Sequence, residues 1–209
     1  MIGQGVLRSC LLDPTVTRVV SVSRKPTGKS DPKLREIVQG DVTDLAALSP
    51  ELKTVDACLF TLGVSSLGQS EEAYSRATYD LTMRVAEQLL RANPSMTFLY
   101  VSGRSTDSTE KGSAMWARVK GRLENALLKL GFARAYMFRP GAIIPEHGIR
   151  SSTGWYNTLY AITKPLYPLL RRLSPTLVTT SDQMSRAMIA VARDGYPKAI
   201  VEMEDIIKF

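Results

Sequence analysis

Two neighbouring stretches of sequence decide the fold: residues 97–103, TFLYVSG, and residues 115–131, MWARVKGRLENALLKLG. The first is a short apolar run that ends in small residues, which is typical of a buried strand of a parallel sheet. The second places apolar side chains at helical spacing and ends at Gly131, the residue type that most often follows a helix. A buried strand followed by an amphipathic helix indicates a parallel α/β sheet.

The same alternation continues along the chain and predicts a Rossmann-like, doubly wound parallel sheet. Predicted strands cover residues 18–23, 37–42, 55–63, 97–103 and 135–144, and short edge strands cover 200–201 and 206–207. Predicted helices cover residues 6–11, 81–90, 115–130 and 181–193. We interpret residues 1–209 as a single domain, with a core over 1–145 and a small substrate-side lobe over 146–209.

Composition fits one globular domain, because the 209 residues are 44% hydrophobic and 22% charged. Cys10 and Cys58 lie in apolar segments, which favours buried thiols and a reducing cytoplasm over a disulfide framework. The net charge of +7 comes from basic residues spread along the chain. This spread favours a solvated basic surface with a site for an anionic ligand, and we expect no nucleic-acid binding.

Two loops carry polar residues where a dinucleotide would be read. Arg24 and Lys25 follow the strand 18–23, where an acid would hold the ribose of NAD and cations would accommodate the phosphate of NADP. A solvated basic loop is the alternative. Asp41 and Val42 follow the next predicted strand, which suits the adenine edge or a helix start capped by a nearby side chain.

Trp116 and Lys120 are four residues apart and therefore share one face of the predicted helix. With the strands and loops above, they make the sequence resemble the atypical short-chain dehydrogenases/reductases. The likeness is to the branch that is NAD-dependent epimerase/dehydratase-like, NmrA-like or Tat-interacting oxidoreductase-like. Residues 116–120 fall on the YxxxK motif of that family, residues 99–103 on the strand that ends at its serine region, and residues 139–141 on its Arg-Pro-Gly turn.

The resemblance implies a dinucleotide cofactor, with NADP preferred and NAD less favoured. It implies the following cofactor-binding residues: Ile2 and Gly3 at the pyrophosphate, Arg24 and Lys25 at the 2′-phosphate, Asp41 and Val42 at the adenine, Leu62 and Gly63 at the ribose, Lys120 at the nicotinamide ribose, and Pro140, Gly141 and Ile143 at the carboxamide.

Two features depart from that family. Of its opening T-G-A-T-G-x-I-G pattern only Ile2 and Gly3 match, so we expect a truncated start with the first strand missing. Trp116 replaces the tyrosine, and an indole N–H donates a hydrogen bond but gives up no proton at useful pH. The family's serine falls on Gly103, which leaves Ser102 and Ser105 beside it as candidate catalytic residues with Lys120 and Trp116. The standard mechanism is therefore not expected.

Three functional interpretations remain open. One is an NADP-dependent oxidoreductase or epimerase-like enzyme of atypical mechanism, with a small molecule as substrate. A second is a non-catalytic, NADP(H)-sensing or partner-binding module, and a third is a truncated fragment that binds no nucleotide.

Two further features have alternative interpretations. The single histidine, His147, is either an acid/base group or an exposed loop residue. The amphipathic segment 155–173 favours covering a substrate pocket or an oligomer contact over lying on a membrane surface. No metal is expected, because no cluster of residues has the spacing of metal ligands.

Overall fold

The computed structural model describes residues 1–149 and 177–209, so the predicted amphipathic segment 155–173 lies outside the described residues. Contacts divide the chain into two compact units. The first comprises Met1–Gly40, Pro140–Val191 and Glu202–Phe209, and the second comprises Asp41–Arg139 and Ala192–Val201.

The elements are α1 (Ile2–Leu12), β1 (Val19–Ser23), β2 (Leu34–Val38), a 3-10 turn (Ala46–Leu48), α2 (Ser49–Leu52), β3 (Ala57–Phe60), α3 (Glu71–Ser75), a π-helical turn (Arg76–Asp80), α4 (Leu81–Ala92), β4 (Thr97–Val101), α5 (Met115–Lys129), β5 (Arg134–Arg139), β6 (Ala142–Ile144), β7 (Val178–Thr180), α6 (Ser181–Asp194), β8 (Ile200–Glu202) and α7 (Met203–Ile206).

The first unit contains two parallel strand pairs. In one, β1 pairs with β2 from Val19 opposite Leu34, and in the other β6 pairs with β7. Helix α1 lies close to the start of α6, because a Cβ atom on Gly5 would be only 3.1 Å from the Cβ of Ser181. A glycine at this point therefore lets the two helices approach each other.

The second unit is built on a four-stranded sheet in the order β3-β4-β5-β8. The pairs β3–β4 and β4–β5 are parallel, and all five residues of β4 are buried. Such a strand is covered on both faces, which explains why its sequence is a continuous apolar run rather than an alternating one. The parallel α/β architecture predicted from the sequence is confirmed.

Helix α5 follows β4 and packs through the apolar stripe that includes Val119, Leu123 and Leu127, each no more than 1% exposed. It ends as predicted, since Gly131 has a φ of 110°, a conformation that side chains with a Cβ atom disfavour. Gly121 has a different role. A Cβ atom there would lie 1.8 Å from the carbonyl oxygen of Asp107, so the loop after β4 lies directly against the helix backbone.

The helical segment before β4 is longer than the sequence pattern predicted. It begins at Glu71, where the side chain of Ser70 accepts a hydrogen bond from the Ala73 N–H, and it continues through the π-helical turn into α4. The stripe that starts at Leu81 marks only its second half. The first half was missed because its apolar residues do not extend that stripe at a regular helical interval.

Three predicted strand positions need correction. The strand expected over 37–42 is β2, Leu34–Val38, because the chain turns at Gly40 and the Asp41 carboxylate accepts the Thr43 N–H. The strand expected over 55–63 is shorter, Ala57–Phe60. The strand expected over 135–144 is two strands, β5 and β6, because Pro140 lacks an N–H group for the ladder.

The edge strand expected at 206–207 is also wrong, because Met203–Ile206 form the short helix α7. Met203 and Ile206 are three residues apart and both fully buried, so helical spacing turns both side chains to the same buried face of the helix. Within residues 1–149 and 177–209, no helix combines the length and the apolar character needed to cross a bilayer.

We predict that Gly121→Ala destabilises the protein by about 2 kcal/mol, because the overpacking against Asp107 outweighs the gain in helix propensity. Urea denaturation followed by circular dichroism measures the change in the free energy of unfolding. Gly40→Ala is the matched control, because nothing lies within 4 Å of a Cβ atom at that position. Equal stability of the two variants would contradict the close approach of loop and helix.

Candidate functional site

The candidate site lies in the second unit, where the carboxyl end of β4 meets α5. The Lys120 Nζ atom donates a hydrogen bond to the Ser102 carbonyl oxygen at 2.9 Å and lies 5.6 Å from the centroid of the Tyr100 ring. Burial lowers the pKa of Lys120 to about 8, and the negative charge of Glu124 opposes that change. The lysine that the sequence analysis singled out therefore lies at the carboxyl end of β4.

Trp116 lies one helical turn before Lys120, and its ring lies close to Gly103. A Cβ atom on Gly103 would be 3.7 Å from the Cζ3 atom of Trp116. The residue that replaces the expected tyrosine therefore places an indole ring near the backbone that follows β4. It offers an N–H donor there and no ionisable hydroxyl.

Ser102 and Ser105, the two candidate serines, have different surroundings. Ser102 is buried, and its hydroxyl lies 3.0 Å from that of Thr106. Because the Thr106 hydroxyl donates to the Gly103 carbonyl oxygen at 2.8 Å, the Ser102 hydroxyl is the donor of the pair. Ser105 is exposed and has a φ of 66°. Its hydroxyl therefore lies on the surface of the loop, whereas Ser102 belongs to the interior beneath it.

Asp107 fixes the loop after β4 in place. Its carboxylate accepts hydrogen bonds from the Thr109 N–H and hydroxyl and from the Gly112 N–H, and these bonds lower its pKa to about 2. Its own N–H donates to the Ala117 carbonyl oxygen of α5 at 3.1 Å. The loop thus has a defined conformation on the face of the helix that carries Lys120.

A buried ion pair connects α5 to the end of β5. The Arg139 Nε atom lies 3.2 Å from both carboxylate oxygens of Glu124, and its Nη2 atom lies 2.5 Å from Glu124 Oε2. Arg139 Nη2 also donates to the Ser108 hydroxyl. Glu124 is fully buried, and a buried charge of this kind is stable only when it is paired and hydrogen-bonded.

The remaining cofactor residues predicted in the second unit lie in two loops. Asp41 is exposed, and hydrogen bonds from the Thr43 hydroxyl and N–H lower its pKa, whereas Val42 is buried. Leu62 and Gly63 are exposed in the loop that follows β3. Their assignment to adenine and ribose stays a prediction.

The other predicted cofactor residues belong to the first unit: Ile2 and Gly3 begin α1, Arg24 and Lys25 are exposed after β1, and Pro140, Gly141 and Ile143 surround the start of β6. Gly141 is required by its neighbours, since a Cβ atom there would lie 2.4 Å from the Leu177 carbonyl oxygen. Pro140 and Ile143 are buried.

His147 makes a specific contact rather than lying alone in a loop. Its Nε2 atom is 2.6 Å from Asp182 Oδ2, which also lies 3.7 Å from Arg8 Nη1. Glu146 accepts the Asp182 N–H at the start of α6, so Glu146, His147 and Asp182 each bring one oxygen or nitrogen atom within 4.8 Å of the others. Helix capping and ion pairing account for this cluster, and the expectation of no metal stays a prediction.

Sequence reasoning missed Thr106, Asp107 and Glu124 as parts of this region, and it identified Arg139 only as the first residue of the Arg-Pro-Gly turn. Glu124 could have been found, because it follows Lys120 by four residues and so shares its helical face. Thr106 and Asp107 gave no such signal, since a loop sequence does not specify which helix it will contact.

No family model matches the sequence. A protein of Aspergillus terreus named "Protein fmp52-2, mitochondrial" is 28% identical over 218 residues, which cover 99% of this chain and 91% of the relative. "Protein fmp52, mitochondrial" of Emericella nidulans is 30% identical over 151 residues, which cover 68% of this chain and 63% of the relative. These names contradict the expectation of a cytoplasmic protein, which is therefore wrong.

Solved structures show the fold. The enzyme WbmF of Bordetella bronchiseptica in complex with NAD+ superposes with a TM-score of 0.65 at 15% identity, covering 99% of this chain and 73% of that one. A short-chain dehydrogenase/reductase of Saccharomyces cerevisiae gives 0.63 at 16% identity, covering 94% and 88%. UDP-N-acetylglucosamine 4-epimerase of Bacillus cereus gives 0.64 at 13% identity, covering 96% and 74%. The chain has the Rossmann-like fold of the short-chain dehydrogenases/reductases and epimerases, which confirms the resemblance in fold.

We predict that the free energy of unfolding of wild type rises relative to Lys120→Met as the pH increases from about 8 to 10.5. In this range the folded protein has released the Lys120 proton while the unfolded chain still holds it, so deprotonation favours the folded state. Below pH 8 both states are protonated, and the difference between the two proteins stays constant.

Urea denaturation at a series of pH values measures this difference. Lys129→Met, at the exposed end of the same helix, controls for the loss of any lysine and should follow wild type. Parallel curves for wild type and Lys120→Met across the whole range would show that Lys120 is not buried as described.

Proposed function

We propose that the chain binds NADP(H), with Lys120 holding the nicotinamide ribose. The observation that carries the proposal is the position of the Lys120 ammonium at the carboxyl end of β4, fixed by its bond to the Ser102 carbonyl oxygen. Ligands of open α/β sheets bind outside the carboxyl ends of the strands. An ammonium has three N–H donors, and the bond to Ser102 uses one, so donors remain for ribose hydroxyls.

Two further observations support a dinucleotide and the choice of NADP. WbmF and other neighbours in fold were solved in complex with NAD+ or NAD. In this chain, Arg24 and Lys25 are exposed directly after β1, where a parallel α/β fold reads the adenosine ribose. An arginine grips a phosphate with two parallel hydrogen bonds, which suits the 2′-phosphate of NADP.

We propose that this site binds the dinucleotide without tyrosine-based turnover, in the manner of a nucleotide-sensing module. Trp116 puts an apolar ring where a proton donor is needed, and the Ser102 hydroxyl is engaged by Thr106. Reduction of a carbonyl requires an acid at the developing alkoxide, and neither group supplies one. Because the relatives are named as mitochondrial proteins, we place this function in the mitochondrion.

We predict that NADPH quenches tryptophan fluorescence of the wild-type chain in a saturable way, because Trp116 lies one turn from Lys120. Lys120→Met should weaken binding by about 10–100-fold, the effect of one lost hydrogen bond from a charged donor. Arg24→Ala should weaken NADPH binding but leave NADH binding unchanged, because only NADPH carries the 2′-phosphate.

The matched controls are Lys129→Met and Arg91→Ala, which remove exposed cations of α5 and α4. Equal NADPH affinity in wild type and Arg24→Ala would refute the phosphate assignment. No quenching by a demonstrably folded chain, confirmed by a calorimetric titration, would refute the proposed function as a whole.

A second candidate function is a reductase in which another donor replaces the tyrosine. The observation that favours it is the hydroxyl pair of Ser102 and Thr106 at the strand end that carries Lys120. Both hydroxyl protons are engaged in the structure, that of Ser102 by Thr106 and that of Thr106 by the Gly103 carbonyl oxygen, so this function would require one hydroxyl to turn toward the carbonyl oxygen of the substrate. Supplying the proton would still require a separate acid.

We predict no steady consumption of NADPH by wild type with a panel of small aldehydes and ketones, and no gain in Trp116→Tyr. The tyrosine alone is insufficient because Gly103 stands where the family has its serine. Absorbance at the NADPH band gives the rate. Turnover by wild type that is lost in both Ser102→Ala and Thr106→Val would instead establish the reductase.

A further inference from the structure

Three ionisable side chains form a buried series behind the strand end. Lys120 and Glu124 lie one turn apart on one face of α5, and Glu124 is held by Arg139 through the Nε and Nη2 atoms. The Arg139 guanidinium reaches one step further and donates to the Ser108 hydroxyl in the loop after β4. The series therefore joins the proposed ribose-binding lysine to β5 and to the loop beside it.

Stability alone does not account for such a series. A buried ion pair contributes little net stability, because the cost of removing two charges from water offsets their attraction, and apolar residues of similar size often serve as well. An effect of the pair on a neighbouring charge would give it a second role. Its neighbour on α5 is Lys120, which is itself half-buried and needs a compensating negative charge to remain an ammonium.

Among the charged groups described near Lys120, Glu124 is the one whose negative charge raises the pKa of the lysine. Tyr100 lies beneath the ammonium and Tyr74 beside Tyr100, and burial raises the pKa of both phenols, so both are neutral at physiological pH. Arg139 is a second cation, and a like charge near a lysine opposes its protonation. Glu124 is the carboxylate on the lysine's own helical face, and its attraction favours the ammonium.

We propose that Glu124 is a positioning residue that keeps Lys120 cationic, with Arg139 both anchoring Glu124 and moderating its effect. The inference rests on the proposed function, since the ligand that requires this ammonium is the ribose of the dinucleotide. It adds that ligand binding depends on a residue that does not touch the ligand. The consequence is a site whose affinity stays constant over the pH range in which Lys120 remains protonated.

The test measures the pKa of Lys120 in the unliganded full chain. Protein labelled with 13C in lysine gives a Cε resonance for each lysine, and Lys120→Met identifies the one that belongs to residue 120. Four proteins are compared: wild type, Glu124→Gln, Arg139→Met and the double variant. Glu110→Gln is the matched control, because it removes an exposed carboxylate that binds Asn125 of the same helix.

The expected order of the Lys120 pKa is Arg139→Met highest, then wild type, then the double variant, and Glu124→Gln lowest. Glu124→Gln should lower the pKa by about one pH unit, because it removes the attracting charge and leaves the repelling one. Glu110→Gln should leave it unchanged. If Glu124→Gln does not fold because it leaves Arg139 buried without its partner, the double variant still decides, since removing both charges must lower the pKa of Lys120 below that of wild type.

NADPH affinity as a function of pH gives the second measurement. In Glu124→Gln the loss of affinity with rising pH should begin about one unit lower than in wild type. A pKa of Lys120 that is the same in wild type, Glu124→Gln and the double variant would overturn the inference even if NADPH binds. The expected order of pKa values without NADPH binding in any variant would overturn the proposed function and leave the electrostatic role of Glu124 standing.

Discussion

The arrangement of the candidate site depends on one backbone contact, the approach of the loop after β4 to helix α5. The Asp107 N–H donates to the Ala117 carbonyl oxygen, and the absence of a side chain at Gly121 leaves room for the Asp107 carbonyl. The carboxylate of the same aspartate folds the rest of the loop back on itself. With strand end, loop and helix held together in this way, Lys120 reaches the Ser102 carbonyl oxygen.

Buried charge is the second constraint on this region. A parallel sheet covered on both faces has a dry interior, and charges placed there must compensate one another. Helical geometry provides the compensation, because side chains four residues apart on α5 lie one above the other. Lys120 and Glu124 use this spacing, and Arg139 completes the series from the end of β5. The sheet thus provides the apolar surroundings of these charges. It also provides Arg139, the cation that pairs with Glu124 in those surroundings.

The fold and the residues at the end of β4 favour different functions. The fold is shared with a short-chain dehydrogenase/reductase and with an epimerase, and the resemblance drawn from the sequence implies a tyrosine one turn before the lysine. In this chain that position carries Trp116, whose ring lies close to Gly103. A scaffold that keeps this lysine and carries an indole in place of the tyrosine is the basis for proposing nucleotide binding without hydride chemistry. The proposed function therefore rests on the residues at the site and not on the fold that carries them.

The sequence by itself determined the class of fold and the position of the lysine. The apolar run at 97–103 and the stripe of α5 were sufficient, because burial on both faces of a strand and on one face of a helix leaves a periodic record in the sequence. The predicted boundaries were less accurate where the hydrophobic pattern is short and weak. Examples are the end of β2, the break at Pro140 and the short helix α7. Those boundaries depend on turn conformation and on which side chains find space in the interior.

Only the tertiary structure decided what surrounds Lys120. The bond to Ser102, the engagement of the Ser102 hydroxyl by Thr106 and the pairing of Glu124 with Arg139 join residues from different elements. Sequence periodicity reports which face of an element is buried, but not which residue of another element will face it. The assignment of a role to Glu124 therefore required the packed structure, since its charge has meaning only beside the lysine it compensates and the arginine that holds it.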